Sequence, residues 1–142
     1  MLNTDRIQSG SSIFFHYLND DEHPDISASF APNRCMPDNY VTFDLFSFDG
    51  YAANIESVLF GKGDYERNLF IIVSWVYNLD GVNTVGKYYS VFAYDYVKGV
   101  FTKNEKLTNI LGSGQDGLVD GKYFKFKFKA AADIWAYLKN RR

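Results

Sequence analysis

Residues 69–77 read Leu-Phe-Ile-Ile-Val-Ser-Trp-Val-Tyr, the most apolar run in the chain. Leu69, Ile71, Val73, Trp75 and Tyr77 fall on one alternating face, and Phe70, Ile72, Ser74 and Val76 on the other. A strand apolar on both faces is buried on both, so this run predicts the central strand of a sheet. Residues 87–96 alternate as well, with Tyr88, Ser90, Phe92, Tyr94 and Tyr96 against Tyr89, Val91, Ala93 and Asp95. They predict a second strand, antiparallel to the first across the polar loop 78–86.

Before these strands the pattern predicts strands over 12–18, 26–30, 40–48 and 52–60. Asp49-Gly50 predicts a tight hairpin between the last two. After them, Thr102-Lys103-Asn104-Glu105 has the Ser/Thr-x-x-Glu capping pattern. Leu107, Ile110 and Leu111 follow at helical spacing, and Gly112 ends the short helix. Residues 112–121, rich in glycine, predict a flexible loop. In 122–128, Phe124, Phe126 and Phe128 alternate with lysines, the pattern of a strand with one packed side and one wet side. In 130–140, Ala131, Ile134, Trp135 and Leu138 form one helical stripe. The whole predicts an α+β fold: an antiparallel sheet of about five to seven strands, with the C-terminal helix packed on one face and a second short helix. Residues 1–142 form one domain in this reading, with 1–11 a loose terminus.

Composition sharpens the picture. The chain has 142 residues, 46% of them hydrophobic, and contains 13 Phe, 11 Tyr and 2 Trp. That is enough apolar surface for a real core and excludes a disordered chain. The single cysteine, Cys35, excludes an intramolecular disulfide and a multi-cysteine zinc site. No signal peptide and no apolar run of bilayer-spanning length is visible. These features predict a cytoplasmic protein without membrane insertion, or a periplasmic one if a leader has been removed. Net charge is −2, unevenly spread. Residues 1–66 hold three basic residues against eleven acidic ones, and residues 122–142 hold seven basic against one acidic.

Candidate chemistry is sparse. The cluster Asp20, Asp21, Glu22, His23 and Asp25 offers oxygen ligands, but its spacing matches no calcium loop and it lacks the glycine such a loop needs. It reads better as an acidic contact patch for a basic partner. Cys35 with His16 or His23 has no local support as a nucleophile and base, and no nucleophile elbow is present. Nucleic-acid binding is not expected either. The pI is about 5.6, and the aromatics of 122–129 alternate away from the lysines. Trp75, Tyr77, Tyr88, Tyr89, Tyr94 and Tyr96 are candidates for a ligand groove or an interface.

Ile55-Glu56-Ser57-Val58-Leu59-Phe60, the Ile-Val-Ser-Trp core of the central run and Gly81-Val82-Asn83-Thr84-Val85-Gly86-Lys87-Tyr88-Tyr89 resemble small bacterial secreted or periplasmic proteins of unassigned function. Gly112-Ser113-Gly114-Gln115-Asp116-Gly117 and the Ala-Ala-Ala-Asp-Ile run ending at Ile134 fit the same pattern, so the resemblance covers roughly residues 54–138. It implies an envelope history and assigns no activity. Such proteins often carry an Asp-x-Asp-Gly loop between two strands. In the corresponding loop here, 61–68, Lys62 and Arg67 replace acidic positions.

With no catalytic set, cofactor or metal site in view, the sequence predicts a non-enzymatic bacterial protein-binding module, most concretely an immunity protein that neutralises a toxin by direct binding. The predicted contacts are Asp20, Asp21, Glu22 and Asp25 in the acidic patch, and Tyr77, Asp80 and Tyr88 near the central loop. The alternative is an envelope protein that binds a small molecule or glycan through its tyrosine-rich sheet.

Overall fold

The computed structural model describes residues 2–18, 25–36, 38–47 and 51–141, and the backbone but not the side chain of Asp80. It contains two antiparallel sheets and two helices, an α+β fold. The first sheet has four strands in sequence order: β1 (Leu2–Asn3), β2 (Ser12–Tyr17), β3 (Ile26–Ala31) and β4 (Val41–Phe46). The second has six: β5 (Ala53–Gly61), β6 (Asn68–Leu79), β7 (Thr84–Val97), β8 (Val100–Lys103), β9 (Ser113–Val119) and β10 (Lys122–Phe124). Its order is β10-β9-β7-β6-β5, with β8 pairing the far end of β7. Helix α1 (Glu105–Leu111) lies between β8 and β9, and α2 (Ala131–Asn140) ends the chain.

The central strand is where the apolar run predicts it. In β6, residues 68–75 are all buried, because each face meets its own core. Leu69, Ile71, Val73 and Trp75 join Ile13, Ile26, Phe30 and Phe46 in the layer between the two sheets. Phe70 and Ile72 join Leu107, Leu111, Phe128, Ile134 and Leu138 in the layer under the helices. Truncating one such fully buried isoleucine to alanine costs about 2–5 kcal/mol. Strand β7 pairs with β6 from Asn68↔Asp95 to Leu79↔Thr84, the long hairpin that the two alternating runs imply.

Several expectations change. The predicted 40–48/52–60 hairpin does not form: β4 pairs with β3, and β5 pairs with β6 in the other sheet. The chain crosses between layers there, since Phe46 and Ala53 are both needed in the inter-sheet core. Asp49-Gly50 lies outside the described residues. Residues 112–121, expected as a loop, contain β9, which pairs with β7. The helix cap is Asn104 rather than Thr102, because Thr102 is engaged in the ladder opposite Asp95. The strand expected over 122–128 stops at Phe124, which is half-exposed. Beyond it Phe126 stacks on Tyr89 at 5.9 Å and Phe128 is buried against α2. Trp135 is also half-exposed, its indole Nε1 donating to the Phe60 carbonyl at 3.2 Å.

The N-terminal segment, expected to be loose, is tied in at several points. Arg34 pairs with Asp5 at 2.8 Å and donates to the Ser11 carbonyl at 2.9 Å, Thr4 and Ser11 are fully buried, and the Tyr96 hydroxyl donates to Gln8.

Candidate binding site at the end of the long hairpin

The β6–β7 hairpin reaches further than the layers that cover it. A short 3-10 turn, Asp80–Val82, joins the strands. At this end Val76, Leu79, Val82 and Val85 are 43–54% exposed, although each belongs to a type that is usually buried. Val76 and Val85 have the parity of the helix side, and Leu79 that of the four-stranded sheet. Both faces of the hairpin end are therefore uncovered.

On the face turned towards the four-stranded sheet, Trp75, Tyr77 and Leu79 alternate along β6. Thr84 and Tyr88 do so along β7, Leu79 pairing with Thr84 and Trp75 with Tyr88. Together with Tyr51 and with Gln115 of β9, these side chains line a cavity of about 170 Å³. Trp75 is almost wholly buried, and its ring centroid lies 6.2 Å from that of Tyr88. The Tyr88 hydroxyl donates to Ser113 Oγ at 2.8 Å, which fixes its ring across β7 and β9.

Glycine makes room for the third ring. Tyr77 faces Gly86, which faces Gly117 on β9. A Cβ on Gly86 would stand 3.2 Å from the Tyr77 hydroxyl and 2.5 Å from the Asp116 carbonyl oxygen. With bare backbone there, the Tyr77 phenol reaches across β7. It is 7% exposed, and its hydroxyl has no hydrogen-bond partner among the described residues. Burial, and then the negative charge of Asp116, raise its pKa above the usual 10.0, so the hydroxyl keeps its proton. Thr84 holds the rim. Its Oγ1 donates to the Val82 carbonyl and accepts from the Asp120 N–H, both at 3.1 Å.

Of the predicted contacts, Tyr77 and Tyr88 come together in this cavity, and the Asp80 backbone lies in the turn beside it. Asp20, Asp21, Glu22 and His23 lie outside the described residues. Asp25 is half-buried just before β3, in the other sheet. Tyr89, Tyr94 and Tyr96 do not join the cavity. Tyr89 packs on the helix side, and Tyr94 and Tyr96 belong to the inter-sheet layer. Strand parity links Trp75, Tyr77 and Leu79 to Thr84 and Tyr88. Gln115 needed β9 to be recognised as a strand, and Tyr51 lies in the connection between the sheets.

Other constellations offer less. Cys35 is exposed, and His16 packs against Phe14, with ring centroids 5.0 Å apart. Ser74 Oγ donates to Glu56 at 2.6 Å, and Lys87 pairs with the same carboxylate oxygen at 2.9 Å, but Ser74 has no exposed surface for a substrate to reach. In the loop 61–68, Asp64 is taken by Arg141 at 2.6 Å and by Asn104 at 2.7 Å. Among the described residues, no group of three or more His, Cys, Asp or Glu is placed to hold a metal ion. No described helix is long and apolar enough to cross a membrane. The chain matches no family model, no curated protein and no solved structure.

Proposed function

We propose that the chain is a small non-enzymatic bacterial module that binds another protein, most concretely an immunity protein that neutralises a toxin by direct binding in the cytoplasm. The observation that supports this reading is the uncovered end of the β6–β7 hairpin. Four half-exposed aliphatic residues crowd that end on the two faces of the hairpin, and one of them, Leu79, lines the aromatic cavity. Interfaces concentrate such aromatic anchors at their centre, and a partner would remove the aliphatic rim from water. The excess of acidic residues in the first half of the chain suits a basic partner, which long-range attraction would bring in quickly.

The alternative, binding of a small molecule or glycan on the tyrosine-rich sheet, has less support. The cavity there measures about 170 Å³. Pockets for drug-sized ligands occupy about 300–1,000 Å³.

The test is affinity capture from the native bacterium followed by co-expression with the captured partner. Wild type suppresses the partner's toxicity. A Leu79→Asp/Val82→Asp variant with unchanged melting temperature does not. A variant that protects as well as wild type removes the hairpin end from the interface.

A further inference from the structure

One edge of the six-stranded sheet is open. Strand β5 ends the order β10-β9-β7-β6-β5, and no described strand pairs with its outer side. Proteins blunt such edges with lysine, proline, bulges or a covering element. A bulge at Glu56 does so for the first half of β5. Residues 57–60, Ser-Val-Leu-Phe, carry neither charge nor proline. In an antiparallel edge strand, alternate residues turn their N–H and C=O outward. The Phe60 carbonyl accepts from the Trp135 indole of α2, so Phe60 is one of the outward residues and Val58 is the next. Trp135 gives that carbonyl the donor that a further strand would otherwise bring.

This edge is the floor of a trough. A cavity of about 630 Å³ is lined by all four residues 57–60. Leu59 belongs to the core under the helices, whereas Val58 and Phe60 pack on the inter-sheet layer. A space that touches both parities runs along the edge of the strand and not over one face. Its walls are Ala131 and Trp135 of α2 on one side, and Leu2, Asp5 and Arg6 of the N-terminal segment on the other.

We propose that this trough receives an extended segment of the protein partner, about four residues long, which adds to β5 as a further antiparallel or parallel strand.

The backbone selects the form of the occupant. The N–H and C=O groups of Val58 and Phe60 recur at the two-residue spacing of a strand, which only another extended chain matches along its length. The walls decide where that chain comes from. A second copy offering its own β5 would bring its own α2 and N-terminal segment against these, so two such troughs cannot close on each other. A segment that carries no layers of its own fits between the walls. Its side chains are apolar where they face Ala131 and Leu2. The inference rests on the protein-binding reading above for the source of the segment, and it adds a contact separate from the hairpin end.

The probe is the capped peptide Lys-Val-Thr-Val-Thr-Val-Lys, N-methylated on alternate residues. Methylation blocks one edge of the peptide, which prevents it from pairing with itself on both sides and leaves the other edge for β5. Hydrogen exchange followed by NMR reads the amides of residues 58–60. In the protein alone Leu59, whose N–H turns to β6, exchanges slowly, and Val58 and Phe60 exchange fast. With roughly nine molecules in ten carrying the peptide, exchange at Val58 and Phe60 slows about tenfold and that at Leu59 changes little. The same peptide methylated on every residue gives no slowing. Val58→Pro removes an outward N–H, keeps the ladder to β6 and the melting temperature, and abolishes the protection of Phe60. The proposal is overturned if the half-methylated peptide leaves both amides unchanged, or if the fully methylated one protects them as well. It is also overturned if both amides are already protected in the protein alone. Sedimentation then assigns the edge to a second copy if the protein is a dimer, and to the chain itself if it is a monomer. Failure here leaves the hairpin reading standing, and failure of the Leu79→Asp/Val82→Asp test leaves the trough standing, because the peptide is read without the partner.

Discussion

The hydroxyl of Tyr94, a fully buried residue of the six-stranded sheet, donates a hydrogen bond to the carboxylate of Asp44 in the four-stranded sheet. Lys103 reaches the same carboxylate oxygen at 3.1 Å. The two sheets are thus joined by a charge-assisted bond inside an otherwise apolar layer, which fixes how they sit on each other. Tyr94→Phe keeps the ring against Phe43 but leaves the carboxylate short of a donor. Urea unfolding should show a loss of about 1.5–3 kcal/mol with an unchanged m-value. Lys103→Met, at a partly exposed ion pair, should lose less, about 1 kcal/mol or under. Burial, then the charge of Asp44, raise the Tyr94 pKa far above the usual 10.0. Its contribution is therefore complete below pH 10 and is lost as pH rises beyond it, where only the unfolded chain gives up the proton. Wild type should lose stability in that range more steeply than Tyr94→Phe.

Asn104 caps α1 and also holds two carboxylates. Its Oδ1 accepts from the Leu107 N–H at 2.9 Å, while its Nδ2 donates to Asp64 at 2.7 Å and Asp95 at 3.0 Å. As a helix cap alone, aspartate would serve as well as asparagine. Here it would set a third carboxylate against the other two. Asn104→Ala should cost about 2 kcal/mol, from the lost cap and the two orphaned acceptors. Asn104→Asp should be no better at pH 7. Its deficit should shrink as the pH falls below 5, since protonation removes the repulsion. Thermal unfolding across that range measures the difference. An aspartate variant as stable as wild type at pH 7 would show that the two amide donors contribute nothing.

The core was legible because it is coded by period. The run that became β6 is apolar at both parities and is covered by both cores, and the alternation of 87–96 carries β7. What was illegible depended on contacts between distant segments. Gly114 and Gly117 look like a flexible loop in sequence. In the fold, Gly114 lies beneath the Phe126 ring, where a Cβ would stand 3.0 Å from it, and Gly117 lies against Gly86. These glycines serve close approach within a strand, which composition alone does not distinguish from flexibility. Likewise, local turn chemistry favours a 40–48/52–60 hairpin, and only the demand of two layers for inward residues separates β4 from β5. For the site, the sequence carried Tyr77 and Tyr88 but not their shared cavity, which required the β6–β7 register and β9.

The pair Asp5–Arg34 makes an acid-sensitive link between the N-terminal segment and the β3–β4 connection. The Arg34 guanidinium, and then the Gly10 N–H, hold the Asp5 carboxyl at about 2 against an ordinary 3.8. A depressed carboxyl favours the folded state above the unfolded value, and that advantage is lost as the pH drops from about 4 towards 2. An NMR titration should place the Asp5 midpoint near 2 in wild type and higher in Arg34→Met, where the Gly10 N–H still holds it below the ordinary 3.8. The difference in stability between the two proteins should be visible at pH 7 and fade by pH 2. A wild-type midpoint near 4 would mean that the pair does not persist in solution.

Gly86 and Gly117 present the sharpest steric test, because each occupies the space where the other's side chain would be. A Cβ on Gly86 would lie 2.9 Å from the Gly117 Cα, and one on Gly117 would lie 2.8 Å from the Gly86 Cα. Both residues also have positive φ, +157° and +143°. No flexible side chain can yield here, since the nearest atoms are backbone. Gly86→Ala and Gly117→Ala should each destabilise by about 2–3 kcal/mol, within the range of a strained backbone site. The double variant should cost less than the sum, because the first substitution already forces β7 and β9 apart. Gly81→Ala is the control: nothing lies within 4 Å of its Cβ position, so it should change stability by about 0.5 kcal/mol or less. If β7 and β9 separate, Gln115 and the Tyr88–Ser113 bond move with them, and the cavity loses one wall.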